Sequence, residues 1–599
     1  MLRSVTVRVL RFWRFSLHTF FLLFLVFQFS IFFCGARTSP NLKVRLEHGG
    51  VLVGRHLTAH SGQPMRAFLG VPYAKPPVGE LRFRSPVPFG AWTGERQAIS
   101  DSSKCTQRDP YRRDLEIEGS EDCLYINVYT PEVPATKNPL PVMVWFHGGG
   151  WQCGSGISSF YGPDFLMEHD IILISANFRL GPLGFLSTET IECPGNFGLK
   201  DQLEVLKWIQ ENIAAFGGDK NSVTIFGESA GGASVTYHML SEKSKGLFHK
   251  GIIQSGTYFN PWAQPAHKGV PARRAQKLAK LVNCNADQDW TSILQCLRQR
   301  KAEDIVATIY DLFEWDYDPM IPFPPVIEPN HKDAFLTVSP RSKQIPHGFS
   351  LPAMIGATSE EGLLKTAALL NEPGLLDDFK TKFNKVLPIV LNYDHHSDEI
   401  QKYITERIKS FYFKNGHDYN KYNYQNITDL ISDGWFIGGI DEYMRIRMNS
   451  LTTGNSNVGP TYVYLFDHKG AASFSELFKG GREDYYGACH AEELQYLFPI
   501  GRELFISASP TPFDLEIRNA MTNMWVNFAK TSNPTPNESN ITNWDIANKY
   551  PVNFIRIGGK DEKHWTLTTK EEGLLQDRSD FWYQLKAHWA ADLSKKDEL

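Results

Sequence analysis

Apolar residues come along this chain in short blocks separated by glycine- and proline-bearing turns. Pro141 to Phe146 (P-V-M-V-W-F) is an uninterrupted block, and Ile171 to Phe178 and Val223 to Phe226 have the same form. Short apolar blocks rich in β-branched residues predict strands buried on both faces. Further strands are predicted at Ala67–Val71, Gly251–Gln254, Ala353–Ala357 and Thr461–Phe466, and Leu124–Tyr129 alternates like a half-buried strand. Val44–Arg55 reads as a hairpin around Gly49-Gly50. Between the strands, Leu203, Leu206, Ile209, Ile213 and Phe216 recur at three- and four-residue steps, predicting a helix over 196–216 that stops at Gly217-Gly218. Strands alternating with helices build a mainly parallel sheet covered on both sides, an α/β fold. Ligands on such sheets sit beyond the C-terminal strand ends.

The two ends break this pattern. Arg3, Arg8, Arg11 and Arg14 precede an apolar run from Phe20 to Phe33, and Cys34-Gly35-Ala36 offers small residues for cleavage. That layout predicts a secretory signal peptide over 1–36, with an uncleaved anchor as the lesser alternative. The last residues, Lys596-Asp597-Glu598-Leu599, match the endoplasmic-reticulum retention signal. The expected organisation is therefore a signal at 1–36, one large α/β domain at 37–595 and a retention signal at 596–599. The expected location is the endoplasmic reticulum lumen, with the retention receptor as a partner and no membrane span after cleavage.

Composition changes this picture little. The 599 residues carry a formal net charge of −4, which gives no footprint for nucleic acid or an anionic membrane. The eight cysteines fit an oxidising compartment. Cys105 and Cys123 could close one short loop and Cys284 and Cys296 another. Spacing leaves the connectivity open and leaves Cys153, Cys193 and Cys489 unpaired or differently paired. No cysteine pair has zinc-ligand spacing. Asn426, Asn537 and Asn540 head glycosylation sequons.

Candidate chemistry centres on Gly227-Glu228-Ser229-Ala230-Gly231, which follows a predicted strand and opens a helix. A serine on so sharp a turn is crowded by its neighbours, and glycines two residues either side relieve the crowding. A serine nucleophile needs a base, a group to orient that base, and donors for an oxyanion. His147-Gly148-Gly149-Gly150, directly after another buried strand, can supply the donors through backbone N–H groups, with Ala230 N–H completing them.

With these motifs the chain resembles the type-B carboxylesterase and cholinesterase family of the α/β-hydrolase fold. The similarity runs from about Val44 to Trp582. It includes F-L-G-V-P-Y-A-K-P-P at 68–77, E-D-C-L-Y-I-N-V-Y at 121–129, W-F-H-G-G-G-W at 145–151, G-N-F-G-L-K-D-Q at 195–202, A-F-G-G-D at 215–219, F-G-E-S-A-G-G at 226–232 and M-W-V-N-F-A-K at 524–530. The resemblance implies Glu361, in Gly356-A-T-S-E-Glu361-Gly362, as the orienting acid, with Glu360 as its rival. It implies His490, in Gly487-A-C-His490-A-E-E-Leu494, as the base. It also implies disulfides Cys105–Cys123 and Cys284–Cys296. It sets Trp262 on the acyl side of a substrate pocket, and Trp151 is expected to face the same gorge. Glu228 is then a candidate brace for the serine turn.

The expected activity is serine carboxylester hydrolysis through an acyl-enzyme on Ser229, without cofactor or metal. The expected ligand is a small-molecule ester, and the expected assembly a monomer or modest homo-oligomer. The alternative is a catalytically silent lumenal binding or chaperone-like protein. The motifs do not choose among simple, xenobiotic, acylglycerol and hormone esters.

Overall fold

A sheet of eleven strands organises the computed structural model. The structure describes residues 42–594, except 112–115, 135, 343–344, 414–423, 453–456, 480–485, 537–540 and 560–565. The segments 1–36 and 596–599 and the sequons at Asn537 and Asn540 lie outside the described residues. Val44 onward forms one compact unit. Among the described residues no helix is long and apolar enough to cross a membrane.

In chain order the strands are β1 Arg55–Thr58, β2 Pro64–Pro72, β3 Tyr125–Pro131, β4 Leu140–Phe146, β5 Ile172–Ala176 and β6 Gly218–Glu228. They continue with β7 Lys250–Gln254, β8 Ala353–Thr358, β9 Thr461–Phe466, β10 Asn553–Ile557 and β11 Thr568–Glu572. The order across the sheet is β11-β10-β9-β8-β7-β6-β4-β5-β3-β2-β1. From β10 to β5 every pairing is parallel. The margins β11, β3, β2 and β1 join antiparallel. The sheet is thus mixed, with a parallel centre.

Both faces of that centre are dry. Val144 and Ile225 lie in register and point into one core with Leu206 of helix α1 (Phe197–Asn212) and Val235 of helix α2 (Ala230–Leu240). Their neighbours Trp145 and Phe226 point into the other core, against Met521 and Trp525 of helix α3 (Pro512–Thr531). A slip of one residue would exchange the two sets, so the packing of Trp145 and Phe226 fixes the register of β4 against β6. That register sets the glycine loop after β4 beside the serine turn after β6.

Most expected elements are present, with three departures. β3 was expected half-buried, but every residue after Tyr125 is buried. Its polar Asn127 is accommodated by bonding to Asp101 Oδ1, Gly156 O and Gly70 N, so alternation in sequence does not mark a wet face here. The predicted helix closes as α1 plus a 3-10 turn, Ile213–Phe216, ended by Gly217 at φ +88°. β1 and β11, the outermost strands, are largely exposed and carry no clear apolar pattern, and β10 is not among the expected strands although its Phe554, Ile555 and Ile557 are buried. The expected turn after Val44 is present: Gly49 N donates to Leu46 O at 3.0 Å and Leu46 N to Gly50 O at 2.9 Å.

Candidate active site

β6 ends at Glu228 and α2 begins at Ala230, so one residue makes the whole turn. That residue, Ser229, has φ 58° and ψ −122°. A non-glycine residue held there stores about 1–3 kcal/mol of strain, which the surroundings must enforce. Ser229 N donates to Gln254 O at 2.8 Å, and Ser229 O accepts from Ala233 N at 2.9 Å. Gly227 and Gly231 are required by close approach. A Cβ on Gly231 would lie 2.0 Å from Phe146 O, and one on Gly227 would lie 2.5 Å from the same oxygen. The end of β4 is pressed directly against the turn.

The loop after β4 is equally tight. Gly149 and Gly150 have φ +87° and +60°. A Cβ on Gly149 would lie 2.2 Å from Cys153 O, and one on Gly150 would lie 2.1 Å from the Tyr111 hydroxyl. Among the described residues no hydrogen bond uses the N–H of Gly149, Gly150 or Ala230. Unused backbone donors beside a nucleophile, one of them at a helix N-terminus, suit a developing negative oxygen. His147 takes no part in proton transfer. Its ring stacks on Phe178 at 4.3 Å, its Nδ1 lies 2.9 Å from Gly148 O, and burial pushes it down to about 4, so it braces the loop as a neutral ring.

Beyond β8 and β9 the chain brings Glu361 and His490 to the same edge. His490 Nδ1 lies 2.5 Å from Glu361 Oε2, whose other oxygen accepts from Thr358 N at 2.8 Å. Glu360, the rival acid, instead accepts from Gln425 Nε2, and its backbone N donates to Ala488 O, tying the acid and histidine loops together. The Phe436 ring covers the imidazole, with centroids 4.4 Å apart. On the other side, His490 Nε2 lies 3.1 Å from Glu228 Oε1. Ser229 Oγ lines the same cavity as the imidazole and makes no hydrogen bond to Nε2 in this resting arrangement.

Electrostatics at this cluster are dominated by burial. Burial alone would hold His490 neutral, but the carboxylates of Glu228 and Glu361 outweigh it and raise the imidazole to about 9. Burial pushes Glu228 up to about 8 against the pull of His490, and Glu493 is raised as well, first by burial and then by Glu361. The surroundings therefore favour an imidazolium. A proton held on Glu228 removes one of the two charges that favour the imidazolium.

Ser229 and His490 open into a cavity of about 160 Å³, walled in part by Tyr161, Trp262, Phe474, Leu477, Phe478 and Leu494. Trp262 is on this wall. Trp151 is not. It is fully buried behind the site, where its Nε1 donates to Ser234 Oγ at 3.0 Å and its ring packs 6.0 Å from Trp262. Disulfides join Cys105 to Cys123 and Cys284 to Cys296. Cys153, Cys193 and Cys489 are buried and unbridged. Burial, then Glu492, pushes the Cys489 thiol well up, which leaves it inert beside the histidine. Asn426 is exposed in the first turn of the helix Gln425–Ser432. Among the described residues no cluster of His, Cys, Asp or Glu could hold a metal ion.

Sequence reasoning did not find Tyr111, Phe436, Glu493, Met320 or Ile321. Tyr111, Met320 and Ile321 line the cavity and Phe436 covers His490, each from a segment outside the motifs and remote in sequence. The one available signal was the Glu three residues after His490, which the family pattern contains and which received no role.

Comparison with known proteins agrees with this architecture. The carboxylesterase family sequence model matches residues 39–582. Venom carboxylesterase-6 of Apis mellifera is 35% identical over 85% of this chain and 90% of its own length. Juvenile hormone esterase of Tribolium castaneum is 33% identical over 94% of this chain and 97% of its own. Esterase FE4 of Myzus persicae is 34% identical over 90% and 93%. With the fold, the strand-edge cavity and these matches together, the chain belongs to the carboxylesterase family and is a carboxylic ester hydrolase of the α/β-hydrolase fold.

Proposed function

We propose that this chain hydrolyses esters through an acyl-enzyme on Ser229. His490 Nε2 takes the hydroxyl proton as Ser229 Oγ attacks the ester carbonyl. Glu361, bonded to Nδ1, holds the tautomer that leaves Nε2 free and then stabilises the imidazolium. The N–H groups of Gly149, Gly150 and Ala230 receive the oxyanion. The protonated histidine gives its proton to the leaving alcohol, and water repeats the sequence to release the acid. The observation that carries this reading is the strained Ser229, which opens into one cavity with Gly149, Gly150 and His490, the last backed by Glu361 at 2.5 Å. Labelling by a fluorophosphonate probe tests it. Ser229 is expected to be modified in wild type, and Ser229→Ala is expected to be inert. Folded wild type that resists the probe would return the chain to a binding role.

The same proposal places the protein in the endoplasmic reticulum lumen. The basic-then-apolar segment over 1–36 and Lys596-Asp597-Glu598-Leu599 support it, as do two disulfides and the exposed Asn426. Deleting residues 596–599 is expected to send the enzyme into the medium of expressing cells, while the full chain stays inside. Equal secretion of both would overturn the location. The relatives' names span venom, hormone and general esterases, and so leave the substrate open.

A further inference from the structure

A second chamber, of about 690 Å³, lies behind the wall of the Ser229 cavity. Trp262, Met320 and Ile321 line both spaces, so the partition between them is one layer of side chains. Its backbone is pinned from both sides. Gln152 Nε2 donates to Met320 O at 2.7 Å, and Arg274 Nη1 donates to Pro322 O at 2.6 Å from within the chamber. Trp262 is pinned too, through Nε1 to Trp435 O at 2.8 Å. Met320 and Ile321 are left as the adaptable leaf, and an unbranched thioether readily changes rotamer. Trp435 belongs to a π-helical turn, Asp433–Ile437, whose next residue, Phe436, covers His490. One irregular turn therefore borders the reacting histidine and the chamber together.

The chamber floor is apolar, with Trp435, Trp582 and Leu391, but its charged lining is cationic. Lys268, Arg273, Arg274, Lys277, Arg341 and Lys586 face it, against Glu314 and Asp394. Arg341 and Lys586 are engaged by Glu442. Arg274 feels Asp394 and Glu314, and burial followed by Glu314 raises Asp394, which weakens its charge. The surplus is Lys268, Arg273 and Lys277, all exposed at the outer rim. Arg273 and Lys277 are one turn apart on the helix Val270–Leu281. The tilted, closely packed rings of His267, His395 and His396 also line the chamber, with centroids 3.8 and 4.0 Å apart. Burial lowers His267, and burial with the neighbouring rings pushes His395 down to about 3, so these two add no charge at neutral pH. The field at the rim is that of lysine and arginine.

We propose that the acyl side of the active site continues through the Met320–Ile321 leaf into this chamber, and that the enzyme accepts long acyl chains ending in a carboxylate, the half-esters of dicarboxylic acids, with the terminal carboxylate at the Lys268–Arg273–Lys277 rim. This rests on the acyl-enzyme reading above. An apolar floor takes the methylenes, and the rim pairs with the head group while it stays partly hydrated, so no charge is buried unpaired. A short half-ester would instead strand its carboxylate in the partition, so charge should help only above a threshold length.

The test compares p-nitrophenyl half-esters of succinic, suberic and dodecanedioic acid with neutral esters of matching chain length. At low salt, kcat/KM for the dodecanedioyl half-ester is expected to exceed that of its neutral partner by about tenfold, from rim charges that each contribute modestly. The succinyl half-ester should be the poorer of its pair. The long-chain preference should fall with added salt and invert in R273E/K277E. p-Nitrophenyl acetate hydrolysis by that variant is the control for folding and for the acyl-enzyme reading. Equal rates for charged and neutral long esters, or a preference that survives the charge reversal, would overturn the inference while acetate hydrolysis leaves the esterase standing. Loss of acetate hydrolysis in folded wild type would remove the reading beneath it.

Discussion

Ser229 and His490 reach the same cavity by opposite means. The serine turn is held by atoms in contact: Gly227 and Gly231 meet Phe146 O so closely that no side chain fits, and the serine sits at φ 58° as a result. The histidine is held by charge. Its ring nitrogens face Glu361 and Glu228, one following β8 and the other ending β6, and the ring is covered by Phe436. Local sterics build the proposed nucleophile, and long-range electrostatics build the proposed base. Changes at the first should be all-or-none, and changes at the second should be graded and pH-dependent.

Removing the nucleophile should give the largest effect. Ser229→Ala is expected to lower kcat for p-nitrophenyl acetate on the order of 10⁶-fold, the scale seen when a serine nucleophile is deleted. Circular dichroism should stay native, since the change removes only Oγ and adds no atom that must be accommodated. A residual rate within a hundredfold of wild type would mean that another group attacks. Glu361→Gln keeps the shape but presents an amide to Nδ1, which permits the wrong tautomer. A loss of about 10⁴ in kcat is expected, with KM little changed. A loss below tenfold would show that Glu228 alone can orient the ring, and the contrast drawn above would fail.

The glycines test the steric half. In Gly231→Ala the new Cβ would fall 2.0 Å from Phe146 O, a backbone atom at the end of a buried strand. A destabilisation of about 3 kcal/mol is expected, at the upper end of overpacking costs. Gly217→Ala is the matched control: its φ is +88° but a Cβ there meets nothing within 4 Å, so only the conformational penalty of about 1 kcal/mol should appear. Urea midpoints of the two variants make the comparison. Gly231 is helical and has no positive φ, so equal shifts would mean that Phe146 O yields to the new methyl group and that contact does not require glycine there.

The same division explains what could be seen in the sequence. Val223–Gly231 and Pro141–Gly150 each carry their geometry locally, as a buried block ending in residues without side chains, so both strand ends and the N–H donors were legible. His490 and Glu361 carry no local signature. Nothing in the spacing separates Glu361 from Glu360, and only the family pattern did so; the physical reason is a contact across 129 residues. Trp151 shows the opposite error. Its position beside the glycines suggested the gorge, but its ring lies in the core with Nε1 bonded to Ser234 Oγ. The Met320–Ile321 partition lies in a proline-rich segment without periodicity, so no pattern of apolar residues could have set it beside Ser229.

The finest test concerns Glu228, where both halves of the site meet. It ends β6, a Cβ on Gly148 would lie 2.6 Å from its Oε2, and its Oε1 faces His490 Nε2. Its carboxylate is one of the groups that raise His490 above the ordinary histidine value of 6.5. As the proposed base His490 must have no proton on Nε2, so its raised value places the acid limb of kcat/KM above pH 6.5, with activity growing as pH rises through it. Glu228→Gln removes one stabilising charge at nearly constant volume. The imidazolium is then less favoured, so the limb should move to lower pH while the plateau rate falls by less than about tenfold. Glu228→Ala would change packing against Gly148 as well, so the glutamine variant isolates the charge. A limb that does not move would assign the elevation to Glu361 alone and leave Glu228 as a steric brace of the serine turn. A limb that moves with an intact plateau would show that the residue ending the nucleophile strand tunes the base across the cavity.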